Sequence, residues 1–534
     1  MPTLSREQFV RMCRSVDPQD HILVVPIGLR LLSDQLTPVL AYRRLVSPDV
    51  RTAPSFLLES VEGGERVGRH SLLGSRPAME VLACAERVEL TDHRAGTTYS
   101  HHGEDPFDVL RAIAGRRRLL LPPGAVEARL LPDCVLGGWF GYAAYDSVRY
   151  AEPGRLPWHQ APPDDRHLPD LHFGYYDGMV IFDHIDKLVH IVQLVEVAPG
   201  DDPGRAYDAA ADLLERRAHE IQQHSKPLPL GRVDQGAPVQ VLPSNMTRQQ
   251  HAAMVERAKE YIRAGDIFQV VLGQRFERAS AADPFDVYRA LRAVNPSPYM
   301  VYLQCSGCIL VASSPEILCR VRREHGRAVV TNRPLAGTRR RGATPEEDAA
   351  LEAELLADPK ERAEHIMLVD LGRNDVGRVA RPGSIRLDKV MAIERYSHVM
   401  HISSTVTGEL RDGLDAWDAL RAALPVGTIS GAPKIRAMQI IDELEPVRRG
   451  PYGGGMGWVS LDGQMDMALA LRTIVVPTGM RRGNVWTYHI QAAGGIVADS
   501  QPEPEYMETV NKAAAMARAV DLAERAFGLG QLPV

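Results

Sequence analysis

Two pairs of glutamates have the spacing that brings carboxylates together on one face of a helix. Glu361 and Glu364 are three residues apart in DPKERAEHIMLVDLGRN, and Glu505 and Glu508 are three apart in PEPEYMETVNKAAAMARAV. Carboxylate oxygens suit a hard cation such as Mg²⁺, and two such faces could hold one with positions left open for an anionic substrate. Acidic residues also favour the first turn of any helix, so neither pair alone is a metal motif.

An arginine and a histidine lie in strand-like runs, where a buried charged side chain would need a partner. Arg472 is in the apolar run MALALRTIVV. A buried guanidinium needs a partner, so this residue forms either a structural salt bridge or a bidentate clamp on a substrate carboxylate. His401, in HVMHISSTVTG, is the best-placed histidine for proton transfer near neutral pH, although a lone histidine in a strand is more often structural.

Four glycine-rich turns could bring backbone close to a ligand. They are PVGTISGAPKIRAMQIIDELE, RPLAGTRRRG, RGPYGGGMGW and IQAAGGIVADS. The first precedes a helix predicted to start near Pro433, where free amides attract anions and Lys434 and Arg436 add positive charge. It lacks the pattern of a nucleotide-binding loop, and each glycine cluster alone is also typical of a tight turn.

The elements that must position these groups divide the chain into an N-terminal lobe (1–225), a linker (226–245), a catalytic domain (246–520) and a tail (521–534). Residues 21–200 are mostly short strands broken by Gly, Pro and Asp, and a helix is predicted over 202–224. The linker is rich in Pro, Gly and polar residues. After it, strands and helices alternate without a regular strand–helix repeat, which favours an α+β architecture.

Helix boundaries in the second half are marked by capping residues. Thr247 and Gln250 form a capping box for a helix that runs to about 264, where Gly265 can end it. Asp358 is a plausible N-cap with Pro359 at the first helical position, which places the Glu361 pair in a helix.

Composition excludes several classes of protein. Lys and Arg number 62 against 68 Asp and Glu, and this balance argues against a nucleic-acid binder. The sequence has no run of about 18 apolar residues, so no membrane span is predicted. Its start also lacks the apolar run of a signal peptide, and we therefore expect a cytoplasmic protein. A single C-x-x-C pair without a second pair predicts buried thiols rather than zinc ligands. The six cysteines are Cys13, Cys84, Cys134, Cys305, Cys308 and Cys319.

Together and in this order, the segments resemble the chorismate-utilising enzyme family over about residues 20–520. The resemblance implies an α+β fold: large antiparallel β-sheets packed as a two-lobed β-sandwich-like core, with helices outside and the site in a cleft. The motifs that carry it are IFQVVLGQRF, NPSPYM, SSPE, PLAGTRRRG, ERAEHIMLVDLGRNDVGRV, YSHVMHISSTVTG, PVGTISGAPKIRAMQIIDELE, RGPYGGGMGW, ALALRTIVV, QAAGGIVADS and EPEYMETVNKA.

The resemblance also implies roles for individual residues. Glu364 and Glu508 resemble direct Mg²⁺ ligands, with Glu361 and Glu505 supporting them. Glu316 in SSPE resembles the general acid that protonates the departing ring hydroxyl, and His401 the histidine of the later pyruvate elimination. The implied contacts to chorismate are Gly337, Thr338 (also expected to serve catalysis), Tyr452, Arg472, Ala493, Gly494 and Gly495; Ala493 stands where the family usually has Gly.

Two positions indicate which reaction within the family to expect. Members that add water carry a Lys where this chain has Gln269, and members that aminate toward folate typically carry one at Ala336. This chain has neither lysine, which favours amination of chorismate by ammonia, leading to anthranilate and pyruvate. Three alternatives stay open: release of the amino intermediate before pyruvate loss, the folate-directed amination, and a catalytically inactive tryptophan-sensing subunit.

Regulation and partners are implied by further segments. LLES, with Ser60, and NPSPYM resemble a tryptophan feedback pocket apart from the active site; the residues of NPSPYM assigned to it are Asn295, Pro296, Pro298, Tyr299 and Met300. Nothing in the sequence resembles a glutaminase. Ammonia is therefore expected from solution or from a separate glutamine amidotransferase subunit (component II), with which the family commonly forms heterotetramers.

Overall fold

The computed structural model describes residues 2–46, 53–62, 66–223, 228–231, 242–396 and 399–527. The helices are α1 (Arg6–Arg14), α2 (Pro38–Leu45), α3 (Pro106–Gly115), α4 (Val148–Ala151), α5 (Pro203–Gln222), α6 (Arg248–Arg263), α7 (Pro284–Val294), α8 (Pro345–Ala357), α9 (Pro359–Val379), α10 (Ala416–Ala423), α11 (Gly427–Ser430), α12 (Lys434–Leu444) and α13 (Pro502–Phe527). The strands are β1 (Ile22–Leu32), β2 (Ser55–Glu59), β3 (Val61–Glu62), β4 (Arg66–Val67), β5 (His70–Ser75), β6 (Met79–Cys84), β7 (Arg87–Asp92), β8 (Thr97–His102), β9 (Arg117–Leu119), β10 (Gly138–Ala143), β11 (Leu171–Tyr176), β12 (Gly178–Asp183), β13 (Leu188–Val197), β14 (Gln269–Ser280), β15 (Tyr299–Cys305), β16 (Cys308–Ser314), β17 (Ile317–Glu324), β18 (Arg327–Asn332), β19 (Leu335–Arg340), β20 (Arg386–Arg395), β21 (Val399–Glu409), β22 (Gly431–Ala432), β23 (Gly455–Ser460), β24 (Met465–Leu469), β25 (Thr473–Pro477) and β26 (Trp486–Ile496).

Two large sheets form the core. In the first the strand order is β22-β14-β26-β25-β16-β15-β2-β5-β12-β13-β1-β9, and in the second it is β19-β21-β18-β17-β24-β23-β10-β11-β6-β7-β8, with β20 paired to β21. Within the described residues their pairings are antiparallel except that β9 runs parallel to β1. The predicted α+β class, with large antiparallel sheets, is confirmed.

The inner faces of the two sheets pack against each other, and helices cover the outer faces. Phe56 of β2 and Phe140 of β10 stack with ring centroids 4.0 Å apart, in a buried cluster that draws on both sheets. Helices α5, α7 and α13 bury their apolar faces on the first sheet, while α9 and α10 pack on the second. Burial of this apolar surface is the main favourable contribution to folding.

Both sheets run across the boundary predicted from the sequence. In the first sheet Leu58 of β2 pairs with Val301 of β15, and in the second Phe140 of β10 pairs with Trp458 of β23. Segments 1–225 and 246–520 are thus interleaved in space, and the division between them stays a prediction about the sequence. Residues 224–227 and 232–241, which include most of the predicted linker, lie outside the described residues.

Helix α13 runs across residue 521, where the tail is predicted to begin, and the tail itself stays a prediction about the sequence. Helix α13 continues through residue 521 to Phe527, and Leu522 and Ala523 are buried against the first sheet. The same apolar spacing that forms the helix therefore anchors its last turns, and residues 528–534 of the predicted tail lie outside the described part of the chain.

Local signals of helix ends are confirmed. The amide of Gln250 donates to the Thr247 hydroxyl (3.2 Å) and the Thr247 amide to the Gln250 side chain (2.7 Å), which completes the capping box of α6. Asp358 caps α9 by accepting from the Lys360 amide (2.9 Å). None of the described helices is long and apolar enough to cross a membrane.

The cysteines are free thiols, and most of them are buried. Cys305 and Cys308 face each other across the β15–β16 turn, with Cys13 and Cys319 also inside the core. Cys134 is half-buried, and Cys84, the last residue of β6, is exposed. The prediction of a buried thiol is therefore wrong for Cys84, because β6 ends there in a turn that faces solvent.

Candidate active site

A cavity of about 910 Å³ lies where α9 and α13 approach the ends of strands from both sheets. It gathers nearly every residue predicted for catalysis, substrate and metal: Glu316, Gly337, Thr338, Glu361, Glu364, His401, Tyr452, Arg472, Ala493, Gly495, Glu505 and Glu508 line it. Gly494 is adjacent, since a Cβ on it would lie 3.2 Å from Glu505 Oε2. Residues far apart in sequence are thus brought to one site.

The two glutamate pairs face each other across this cavity from α9 and α13. Burial raises the pKa of Glu364, and the nearby charges of Glu361 and Glu508 raise it further. Burial likewise raises the pKa of Glu505, with Glu508 adding to the effect. Like charges held together in this way favour either a proton or a cation between them.

The glutamate cluster fits a divalent cation in its donor chemistry. Glu505 Oε2 is buried and has no hydrogen-bond partner among the described residues, so it is available as a ligand. An all-oxygen set of carboxylates is what Mg²⁺ prefers. Across the described residues, no three His, Cys, Asp or Glu side chains are gathered closely enough to hold a metal ion as they stand.

The glycines after Ala493 leave room that a side chain would fill. A Cβ at Gly495 would lie 2.4 Å from Gln269 Nε2, and one at Gly494 would press on the Glu505 carboxylate. Ala493 itself is buried, and its carbonyl accepts a hydrogen bond from Lys512 Nζ (2.9 Å). Backbone here can therefore approach a ligand closely on the side of the glutamates.

Glu316 is a buried acid that is protonated at neutral pH. It follows β16, and its backbone carbonyl accepts from the Leu469 amide (3.0 Å), which fixes the turn. Burial raises the pKa of Glu316 to about 8, and the Thr428 side chain and the Leu335 backbone oppose this shift. A carboxyl group in this state can donate a proton near pH 7.

His401 is held as a neutral imidazole with one free nitrogen. Its Nδ1 lies 2.9 Å from the Gly337 carbonyl and 3.1 Å from Thr338 Oγ1. A carbonyl can only accept, so Nδ1 carries the proton and Nε2 has the lone pair. Burial lowers the pKa of His401 to about 4, and Nε2 is buried without a partner in the described part of the chain.

Arg472 and Tyr452 lie in the same cavity wall. Arg472 precedes β25 with a φ of 47°, a conformation that non-glycine residues rarely adopt. Burial lowers its pKa, opposed by Tyr396. Because a nearby carboxylate would raise the pKa of an arginine, this pattern favours the substrate clamp over the structural salt bridge. Burial raises the pKa of Tyr452 well above its ordinary value, so its phenol remains protonated.

A second cavity, of about 620 Å³, receives part of the predicted tryptophan pocket. Ser60, Pro298, Tyr299 and Met300 line it, brought together because Glu59 of β2 pairs with Met300 of β15. Asn295 and Pro296 line the larger cavity instead. The turn from α7 to β15 crosses from one cavity to the other, so the six residues predicted for one pocket are divided between two.

The two cavities share a wall. Pro315, Leu335 and Tyr396 line both of them. Tyr396 donates to Glu394 (3.0 Å) on the side of the smaller cavity, and its ring lies 5.5 Å from that of His401 on the other. A molecule bound in one cavity would therefore touch residues that also shape the other.

Some groups in or near the site do not follow the sequence-based expectation. Lys434 was predicted to add charge to an anion-binding turn, but it is buried in an ion pair with Asp375, and Arg436 pairs with Asp266 (2.6 Å). Lys512 was missed, although it lies one turn after Glu508 and contacts that carboxylate (2.6 Å). Thr428, in PVGTISGAPK, also lines the cavity and was not singled out.

Comparison with known proteins gives consistent matches over the whole site. The model of the chorismate binding enzyme family matches residues 54–518. The rice (Oryza sativa subsp. indica) protein named anthranilate synthase alpha subunit 1, chloroplastic, is 53% identical over 524 residues, which cover 94% of this chain and 89% of that protein. Anthranilate synthase component 1 of Pseudomonas putida is 44% identical, covering 98% and 99% of the two chains.

Solved structures agree in fold. Anthranilate synthase component I from Streptococcus pneumoniae TIGR4 superimposes with a TM-score of 0.70 at 34% identity, covering 92% of this chain and 99% of that one. The menaquinone-specific isochorismate synthase of Escherichia coli shares the fold at 17% identity, with a TM-score of 0.64 over 96% of this chain and 99% of that one.

Proposed function

Since the chain belongs to the chorismate binding enzyme family, we propose that it acts as the large subunit of an anthranilate synthase, the first step of tryptophan biosynthesis. In this reaction, which makes the protein a lyase, chorismate and ammonia give anthranilate, pyruvate and water. The observation that carries the proposal is the single cavity that holds a protonated carboxyl, a neutral histidine, a buried arginine and four glutamates.

Binding would use the charges of the site. The guanidinium of Arg472 and the phenol of Tyr452 would hold the enolpyruvyl carboxylate of chorismate, and backbone at Gly494 and Gly495 gives it room. The glutamates of α9 and α13 would hold Mg²⁺. When bound, the ion supplies positive charge that fixes and polarises the ring carboxylate.

Amination would use Glu316 as the general acid. Hydroxide is a poor leaving group, so the carboxyl of Glu316 gives its proton to the departing ring oxygen as the C–O bond breaks and ammonia forms the new C–N bond. The oxygen leaves as water, and the new ammonium group loses its extra proton to solvent to give the amine. Burial keeps this acid protonated before each turnover.

Pyruvate loss would use His401. Its Nε2 is neutral, buried and without a partner among the described residues, so it can accept the ring proton as the C–O bond between the ring and the enolpyruvyl group breaks. The group leaves as the enolate of pyruvate, which takes up a proton and becomes pyruvate. The Gly337 carbonyl and the Thr338 hydroxyl hold the ring through Nδ1. The ring then becomes aromatic.

The choice of ammonia over water follows from what lines the cavity. Gln269 and Ala336 stand at the positions where a lysine would activate water or direct the other amination, and both line this cavity. Neither side chain can act as a base. Ammonia would come from solution or from a glutamine amidotransferase subunit (component II), in a heterotetramer.

The proposed function is tested by a turnover assay with chorismate, an ammonium salt and Mg²⁺. We expect a fluorescent aromatic product and stoichiometric pyruvate. A non-aromatic amine without pyruvate would instead identify an enzyme that stops at the intermediate. An amine at the other ring position would identify the folate-directed activity, and no turnover would favour a tryptophan-sensing subunit without catalysis.

Replacing His401 with methionine is expected to separate the two chemical steps. His401→Met keeps a side chain of similar length but removes the acceptor Nε2, so chorismate should still be aminated while anthranilate formation falls by about 10²-fold or more. Chromatography of the reaction should show a non-aromatic amino intermediate. A variant that consumes no chorismate would contradict this assignment of steps, and His102→Met, on an exposed strand, is the control.

Tryptophan is proposed to bind in the smaller cavity and to act through the shared wall. Ser60 and Met300 come from segments on opposite sides of the predicted linker and meet there through the β2–β15 pairing. Pro315, Leu335 and Tyr396 would carry its effect to the active site, because they line both cavities. Coupling of this kind is typically about 1–3 kcal/mol, or roughly 5- to 150-fold in affinity, and it acts reciprocally on chorismate.

Substitutions in the smaller cavity are expected to weaken feedback without weakening catalysis. Ser60→Arg or Met300→Thr should raise the tryptophan concentration for half-inhibition by about 10-fold or more, within the range of such couplings. Uninhibited turnover should change little because neither residue lines the larger cavity. The measurement is a tryptophan titration of activity, with exposed Ser100→Arg as control. Unchanged curves for both variants would show that tryptophan does not bind here.

A further inference from the structure

A small void adjoins the substrate cavity at Glu316. It has about 20 Å³ of space, which is room for about one water molecule. Glu316, Leu368 and Thr428 line both this void and the large cavity, so they form the partition between the two. Asp375 lies on the void wall but not on the wall of the large cavity.

Asp375 is half of a buried ion pair to which the proposed chemistry gives no role. Lys434 Nζ donates to the Asp375 carboxylate and lies 3.5 Å from the Leu371 carbonyl, and both charged side chains are more than nine-tenths buried. The other titratable groups facing Asp375 are Arg378 of α9 and Cys319 of β17. A buried pair of this kind is a weak contributor to stability, so its presence beside the void calls for another explanation.

Thr428 places a hydroxyl in the partition. It belongs to the single turn α11, and its Oγ1 is buried with no well-formed hydrogen bond among the described residues. Buried hydroxyls normally have partners, and a water in the adjoining void would supply one. The hydroxyl can accept a proton from one side and donate one to the other.

We propose that Thr428, a water in the void and the Asp375–Lys434 pair form a relay that returns a proton to Glu316 after each turnover. The inference rests on the proposed function, in which Glu316 loses one proton per turnover to the departing hydroxyl. Asp375 and Lys434 touch no substrate and act through Glu316.

The relay is a chain of proton transfers without any change of oxidation state. Lys434 gives an N–H proton to the Asp375 carboxylate, and the resulting acid gives its O–H proton to the void water. That water passes a proton through the Thr428 hydroxyl to the Glu316 carboxylate. Neutral Lys434 then regains a proton from solvent.

Burial brings the pKa values of Asp375 and Lys434 closer together. It raises the pKa of Asp375 to about 6 and lowers the pKa of Lys434, which reduces the free-energy cost of moving a proton from Lys434 to Asp375. Tyr396, whose own pKa is raised by burial and by Glu316, faces the acid from the shared wall and remains protonated. Reprotonation of Glu316 through the void would also allow the substrate cavity to stay closed to solvent between amination and pyruvate loss.

The test separates the first turnover from later ones, because a resting enzyme already holds a protonated Glu316. In rapid-quench experiments, Thr428→Val should form its first equivalent of product about 10-fold or more faster than its later ones, a larger ratio than wild type shows, within the range for assisted proton transfer. Thr428→Ser keeps the hydroxyl and should restore steady turnover.

A second variant tests the void itself. Ala423 lines it, and Ala423→Val would fill the space while leaving every titratable group in place, so the same fast first turnover and slow steady state are expected. Equal slowing of the first and later turnovers, or wild-type steady state in both Thr428→Val and Ala423→Val, would overturn the relay. Failure of the proposed function would show separately, as a wild-type product other than anthranilate, and the ratio of first to later turnovers would then be measured on that product.

Discussion

Replacing Glu316 with glutamine is expected to lower the turnover number by about 10²–10⁴-fold, the usual contribution of a general acid. The amide has nearly the same shape, so chorismate should still bind and KM should stay within a few-fold of wild type. The measurement is steady-state anthranilate formation at saturating chorismate, ammonia and Mg²⁺. Glu324→Gln, at the exposed end of β17, is the matched control and should keep wild-type rates.

The same carboxyl sets an expected pH dependence. Its pKa is raised to about 8, so the active protonated form is present below that pH and is lost as the pH rises through it. At a constant concentration of free ammonia, turnover should therefore fall on the alkaline side with a midpoint near 8. Glu316→Gln should lack this fall, and an identical alkaline limb in the variant would assign the titration to another group.

Replacing Glu508 with glutamine should be nearly as damaging, through loss of a ligand charge. At limiting Mg²⁺ we expect activity to fall by at least about 10²-fold, beyond the 10–100-fold that outer-shell changes typically cause. The variant should also lose its contact with Lys512, which now lies 2.6 Å from the carboxylate. Activity and heat of binding are measured together across a Mg²⁺ titration.

The control for the metal variant lies on the same helix. Glu503→Gln removes an exposed charge that pairs with Arg248, outside the cavity, and should leave the Mg²⁺ dependence unchanged. Wild-type turnover of Glu508→Gln at limiting Mg²⁺ would contradict the ligand assignment. If the variant loses activity but binds Mg²⁺ as strongly as wild type, Glu508 would be assigned to substrate binding rather than to the metal.

Features encoded within a few residues could be predicted from the sequence. The capping box of α6 and the Asp358 cap of α9 depend on side chains three or fewer positions from the amides they contact. The spacing of Glu361 and Glu364 likewise specifies one helix face. That this face meets the one carrying Glu508 follows from the resemblance between sequences, since the helices are far apart along the chain.

Features set by long-range pairing could not be predicted in the same way. Asn295 and Met300 belong to one short motif, yet the turn into β15 sends them to different cavities. Lys434 looked like an anion-binding residue because its partner Asp375 is 59 residues away and leaves no mark near it. Tertiary packing decides whether a charged side chain contacts a ligand or another charged side chain, and the spacing of nearby residues does not reveal that packing.

The interleaving of the two sheets has a consequence for how the chain is made. Strand β26, formed by residues 486–496, lies in the first sheet between β14 and β25, more than 200 residues after β14 begins. During synthesis, one edge of β14 stays unpaired until β26 has been made. Exposed strand edges can pair with other chains and so promote aggregation. The active site can therefore assemble only after nearly the whole chain has been synthesised, and we expect a nascent chain halted before β26 to depend on chaperones to remain dispersed.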